Sequence, residues 1–354
     1  MQGPTAFVPV SMLFAMGNAG EAPARAALEP EVAELVVRVE EMFARVMAEG
    51  PVGGGTFAQM RVAALAATEE MFEAAGGQLR PLERESEHLI PVAGGEVLAR
   101  AYTPPGDGPF PALVHFHGGA WVMGSPDWPT FKSYARELCE RVGCFVLDVD
   151  YRLAPEFQFP VGLEDCYASL EWLADHAREL NVDPGRIAVG GDSAGGTLAA
   201  AVCLMARDRG GPPIVCQLLE IPAPDHAHLE AYPSAEEFAT GYGLDTEGLV
   251  AGRAAYFADP ADASTPYASP MLAEDLSGLP PAYIVTAEFD PLRDSGEAYG
   301  KRLREFGVPT VISRQPGHVH GASILLHPRW EGARRWHDVV VEMLTGALAG
   351  GSTA

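Results

Sequence analysis

The sequence predicts an α/β fold: a mostly parallel central sheet covered by helices on both faces, with a helical cap. Three observations predict it. From residue 112, short and nearly continuous apolar runs alternate with helical stretches, as parallel strands buried on both faces require. That rhythm stops at 222–270 and resumes at 282, so 222–270 reads as an insertion. Two amphipathic helices precede the first strand and read as an accessory layer.

Residues 1–27 are weakly patterned and read as irregular, with room for one short helix. Val32, Leu35, Val36, Val39, Met42, Phe43 and Val46 then share one helical face, with Pro30 near its start and Gly50 after its end. The run GPVGGG at 50–55 is a break, and Thr56 with Gln59 makes a capping-box pattern for a second helix to about Ala75. HLIPV and EVLARAY, on either side of Ala93-Gly94-Gly95, read as a hairpin. Strands follow at 112–116, 144–149, 186–190, 214–221, 282–287 and 310–315. The helices between and after them are expected at 127–142, 161–180, 195–209, 292–306 and Arg329 to Leu348. The expected division is therefore an N-terminal helical segment at 1–85 contributing to the cap, a catalytic core at 86–221 and 271–354, and a cap insertion at 222–270.

The bulk numbers set limits. A chain of 354 residues, 47% hydrophobic, can bury a large core. A net charge of −24 argues against a nucleic-acid partner. Cys139, Cys144, Cys166, Cys203 and Cys216 show no Cys-x-x-Cys spacing and read as buried thiols in a reducing compartment, with a Cys139–Cys144 disulfide the less favoured reading. No Lys or Arg precedes Arg25 and no apolar run is long enough to span a bilayer, so no export signal or membrane segment is expected and the protein is placed in the cytoplasm.

The chemistry centres on Ser193. Gly191-Asp192-Ser193-Ala194-Gly195 follows an expected strand and opens an expected helix. A nucleophilic serine on a strained strand-to-helix turn needs small residues two positions to either side, and the helix N-terminus offers free amides to a developing oxyanion. Such a serine needs a base, and the base needs an acid that orients it. Asp290 follows the strand at 282–287, and His318 and His320 follow the strand at 310–315, both at carboxyl ends where ligands bind in open sheets. Asp294 and Glu288 compete for the acid: the first falls inside a helix and the second too early. Pattern alone favours neither histidine, although Gly321 after His320 tips the choice. His117-Gly118-Gly119-Ala120 follows another strand, and its glycines let amides converge on one oxygen. His226 and His228 lack a third ligand, His327 reads as an ordinary residue before the last helix, and no metal or other cofactor is expected.

Taken in order, HGGA, DYRLAPE, GDSAGG, DPLRD and the final HG resemble the hormone-sensitive-lipase-like carboxylesterases, bacterial family IV of the α/β-hydrolase superfamily, in the Gly-Asp-Ser-Ala-Gly subgroup. The resemblance spans roughly 85–350. It implies an α/β-hydrolase fold whose cap combines the N-terminal helices with an insertion after the sixth strand. It matches Ser193 to the nucleophile, Asp290 to the acid, His320 to the base, and Gly118, Gly119 and Ala194 to the oxyanion hole. His117, Asp150 and Glu156 match positions that hold the loops.

The chain departs from the pattern in three places. Ala120 replaces the third glycine, and alanine takes a positive φ only at a cost. The resemblance links that glycine-rich loop to esters of bulky tertiary alcohols, which Ala120 therefore disfavours. The run after the base is HGAS, where the family often has phenylalanine, and the segment before residue 28 is longer than typical. The expected function is hydrolysis of short to medium acyl esters through an acyl-enzyme, acting on a small-molecule substrate, with a homodimer possible. Phe238, Tyr242 and Tyr256 are candidates for the pocket lining or the cap's own core. The alternatives are the same triad acting on amides, carbamates or a natural-product acetyl group, and a non-catalytic receptor on this scaffold.

Overall fold

The computed structural model describes residues 28–50, 54–79, 84–327 and 329–350; the irregular segment expected at 1–27 lies outside them, as does part of the 50–55 break. Among the described residues, eight strands form one sheet in the order β1-β2-β4-β3-β5-β6-β7-β8. The strands are β1 (Glu85–Val92), β2 (Gly95–Tyr102), β3 (Phe110–Phe116), β4 (Phe145–Val149), β5 (Val182–Asp192), β6 (Gln217–Glu220), β7 (Ala282–Phe289) and β8 (Thr310–Val319). The first two pair as the expected hairpin, β2 pairs antiparallel with β4, and every later pairing is parallel.

Period-two alternation explains how both faces are buried. Ala112, Val114, Phe116, Leu147, Val149, Ile187, Val189, Leu219 and Ile284 join one apolar cluster with α4 (Val161–Asp175), α5 (Ala194–Arg209) and α8 (Arg293–Glu305). Their neighbours Leu113, Val146, Ala188, Leu218, Tyr283 and Val285 join the opposite cluster with α3 (Pro129–Leu138) and α10 (Glu331–Leu348). The helix expected at 127–142 ends at Leu138 and continues as one wider, π-type turn over Cys139–Gly143. Helix α4 stops at Asp175, where the His176 ring turns its Nδ1 onto Trp172 O at 2.8 Å. β6 starts at Gln217, three residues after the expected Ile214, although Val215 already donates to Ile187 O at 2.8 Å.

Helix α1 (Pro30–Glu49) begins with Pro30 in its first turn, and α2 (Phe57–Ala74) carries the reciprocal capping box of Thr56 and Gln59. Val32, Leu35, Val36 and Val39 of α1 pack on Phe238 and Tyr242 of the insertion and on Val319, Ala322 and Trp330. Met60, Ala64 and Ala67 of α2 share a cluster with Trp121, Val122 and Met123. Arg61 fastens α2 to the core: Nε donates to Val122 O (2.8 Å), Nη2 to Ala154 O (2.7 Å), and the guanidinium pairs with Glu156. The insertion holds α6 (Pro233–Glu237) and α7 (Thr246–Tyr256), the latter capped by Asp245. The short α9 (Ala322–Leu325) lies between β8 and α10. Among the described residues, no helix is long and apolar enough to cross a membrane. All five cysteines are free and buried.

Candidate active site

Ser193 sits between β5 and α5 at φ +54°, ψ −116°, a backbone conformation that costs a non-glycine residue of order 1–3 kcal/mol. The surroundings hold it there. Its N–H donates to Glu220 O at 2.8 Å, and its own carbonyl accepts the Thr197 N–H at 3.1 Å. The turn is also pressed against the end of β3. A Cβ on Gly191 would lie 2.3 Å from Phe116 O, and one on Gly195 only 1.8 Å from the same atom. The two flanking glycines are therefore steric necessities of this turn.

His320 directly follows β8 and Asp290 directly follows β7. His320 Nε2 is 2.9 Å from Ser193 Oγ, and its Nδ1 is 2.8 Å from Asp290 Oδ2. Asp290 is fully buried, and its other oxygen accepts the Leu292 N–H at 2.8 Å. With Nδ1–H donated to the carboxylate, Nε2 is left bare toward the serine hydroxyl. His318 is not there. Its Nδ1 donates to Pro316 O at 3.0 Å and its ring packs between Trp330 and Trp336, with centroids 4.3 and 5.1 Å away. Burial lowers its pKa below the ordinary imidazole value. The competing acids are also occupied elsewhere: Asp294 pairs with Arg293 and accepts the Ser234 N–H, while Glu288 accepts the Gly317 N–H.

The glycine turn after β3 requires one correction. Gly118, expected as an oxyanion donor, gives its N–H to Asp192 Oδ1 at 3.0 Å. Gly119 (φ +119°), Ala120 (φ +52°) and Trp121 (φ +62°) follow with positive φ. Among the described residues, the amides of Gly119, Ala120 and Ala194 have no hydrogen-bond partner. Ala120 thus adopts the left-handed conformation that its methyl group resists, at about 1–2 kcal/mol. The reverse bonds from Val122 and Met123 N–H to Gly119 O lock the turn, at 3.1 and 3.0 Å. Of the residues matched to loop support, His117 lies directly before this turn. His117 stacks on Tyr151 (4.4 Å, 15°), whose hydroxyl donates to His117 O at 2.8 Å. Burial pushes the His117 pKa down to about 4, so its ring is neutral at pH 7.

Phe238 and Tyr242 belong to the cluster under α1, where Tyr242 stacks on Phe289 and Phe238 meets it edge-on, while Tyr256 stacks on Trp121 at 5.0 Å beside the glycine turn. His228 turns its Nδ1 to Asp225, and His226 is buried against Trp121 and Phe257, so the two do not form a metal pair.

A buried polar layer lies beneath the elbow that the sequence reading missed. Glu220, whose carbonyl holds Ser193, accepts from Tyr134 Oη (2.6 Å) and from the Trp336 indole. His115 pairs with Asp148 at 2.9 Å, both fully buried. Burial raises the Asp192 pKa to about 7, opposed by His115 and reinforced by Glu220. The unfolded carboxyl ionises near 3.9. Between these values the folded state keeps a proton that the unfolded chain has lost, so this residue's contribution to stability falls as pH rises. Asp192→Asn keeps an oxygen for the Gly118 amide and removes the titration. From about pH 5 to about pH 7 the melting temperature of the parent should therefore fall more steeply than that of the variant. Parallel melting curves across this range decide the point, and equal slopes would place the titration elsewhere.

Known proteins share this architecture. A family model described as alpha/beta hydrolase fold matches residues 113–324, more than half of the chain. The arylesterase of Saccharolobus solfataricus is 41% identical over 242 residues, covering 68% of this chain and 77% of the relative. Esterase LipI of Mycobacterium tuberculosis is 40% identical over 266 residues, covering 72% and 82%. Among solved structures, the hyperthermophilic esterase from the archaeon Pyrobaculum calidifontis superposes with a TM-score of 0.80 at 37% identity, covering 90% of this chain and 98% of that one. With its sheet order, its serine elbow and these relatives taken together, the chain belongs to the alpha/beta hydrolase fold family, in its hormone-sensitive-lipase-like branch.

Proposed function

We propose that the protein is a serine esterase that cleaves carboxylic esters of short to medium acyl chains. The observation that carries this reading is the single imidazole of His320 spanning Ser193 Oγ and Asp290 Oδ2. Ser193 Oγ attacks the ester carbonyl while His320 Nε2 takes its proton. Asp290 holds the ring and stabilises the imidazolium. The carbonyl oxygen, now an oxyanion, lies against the amides of Gly119, Ala120 and Ala194, each such donor being worth about 3 kcal/mol of barrier. Collapse expels the alcohol, which collects the proton from His320 and leaves Ser193 acylated. Water then repeats the sequence: His320 takes its proton as the oxygen bonds to the acyl carbon, the Oγ–acyl bond breaks, and His320 returns the proton to Ser193 Oγ as the acid leaves.

Helices α1 and α2 with the 222–270 insertion form the cap in this reading, supported by the packing of α1 on Phe238 and Tyr242 and the stacking of Tyr256 on Trp121. Five free, buried thiols and the acidic surface suit a cytoplasmic enzyme acting on small molecules, and a homodimer is compatible with it.

Hydrolysis of p-nitrophenyl esters from acetate to palmitate tests the substrate class. Turnover should peak among the short and medium chains and decline toward palmitate. Turnover confined to anilides or carbamates, with every ester inert, would contradict it.

A further inference from the structure

A second cluster of chemistry-bearing side chains lies outside the triad. Glu137 near the end of α3, His327 in the loop after α9 and His337 in α10 bring one ligand atom each within 4.8 Å of the others. Glu137 Oε2 is 2.8 Å from His337 Nδ1 and 3.3 Å from His327 Nε2. We propose that Glu137, His327 and His337 form a zinc site that braces the loop carrying His320.

The proton inventory at His337 motivates it. His337 Nε2 lies 3.1 Å from Ser323 O, and a carbonyl can only accept, so Nε2 carries the hydrogen. In that tautomer the Nδ1 lone pair is directed at the Glu137 carboxylate, where an ion can take it. His327 Nε2 faces the same oxygen, so one ligand atom from each of the three side chains converges there.

The surroundings resemble a built metal shell. Arg141 donates to the other Glu137 oxygen at 2.7 Å and fixes which oxygen is left for the ion. Ser323 O fixes the His337 tautomer in the same way. Two histidines and a glutamate are a zinc donor set, and bonds of about 2.0–2.1 Å in a tetrahedral site place ligand atoms about 3.3 Å apart. The two imidazoles now stack with centroids 4.3 Å apart and planes at 25°. Binding an ion would require the rings to turn about χ2, a broad torsion for imidazole, until both lone pairs face it. Glu137 and His327 are part-exposed, at 16% and 19%, so water can enter as the fourth ligand.

The consequence is mechanical. Ser323 lies three positions beyond His320 and His327 seven, so an ion would tie this return loop to α3 and α10 without touching the reacting atoms. The test uses the full-length, untagged chain stripped with chelator and dialysed against zinc alone. One zinc per chain is expected, with a melting temperature raised by ~3 °C or more at saturation. Cobalt substituted for zinc should give the intense visible absorption of a four-coordinate site. His327→Gln should abolish all three effects, and turnover of p-nitrophenyl butyrate should be the same with and without metal. Less than stoichiometric binding, or full binding and stabilisation in His327→Gln, would overturn the proposal. The unchanged turnover keeps this test separate from the esterase reading, which fails only if ester hydrolysis itself is absent.

Discussion

Ser193→Ala is expected to lower kcat for short p-nitrophenyl esters by about 10⁵–10⁶-fold while the protein stays folded. The loss is large because the hydroxyl is the bond-forming group, and no neighbouring side chain can take its place at the elbow. The fold should survive because the elbow is held by backbone and glycine contacts, which alanine keeps: the N–H to Glu220 O and the close approach to Phe116 O. Alanine also keeps the Cβ, so the strain at φ +54° persists and stability should change by less than about 1 kcal/mol. Steady-state kinetics and a thermal melt on the same preparation check both halves. A variant that retains a tenth of the parent's turnover would remove Ser193 from the mechanism.

The second large effect separates two histidines that are two residues apart. His320→Ala should cost about as much as losing the serine, because nucleophile and base act as one unit. His318→Ala should instead leave kcat within about tenfold, since its ring touches Trp330, Trp336 and Pro316 O rather than Ser193. Its cost appears as stability. Removing a buried ring between two tryptophans should destabilise by about 2–4 kcal/mol, read from a denaturant titration. The reverse pattern, with His318 essential to turnover and His320 dispensable, would mean that the imidazole seen between Ser193 and Asp290 is not the working base.

How far the sequence predicted this arrangement depended on the kind of interaction involved. Alternating apolar runs report burial on the two faces of a strand directly, so the parallel strands and their helices were readable to within a few residues. The elbow was readable because close approach to β3 excludes side chains at Gly191 and Gly195, and sequence records that exclusion. The roles of single amides were not. Whether the Gly118 N–H is free depends on where the Asp192 carboxylate points, and a through-space bond across 74 residues leaves no local pattern. The same holds for Glu220, Tyr134 and Trp336, which meet only when α3 and α10 dock on one face. One signal was available: Asp192 and Glu220 are acidic residues at the ends of apolar strands, and buried carboxyls require partners. The positive φ at Ala120 ran against residue preference, and it is the surrounding turn that imposes it.

The most direct test of the central claim is covalent trapping of the nucleophile. The protein would be treated with a p-nitrophenyl alkylphosphonate, whose tetrahedral phosphorus mimics the intermediate and whose nitrophenolate leaves as the serine bonds. Intact mass spectrometry and peptide mapping should then find one phosphonyl group per chain, on Ser193, formed in step with the loss of esterase activity. Full inactivation with the label on another residue, or active protein that takes up no label, would contradict an acyl-enzyme at Ser193.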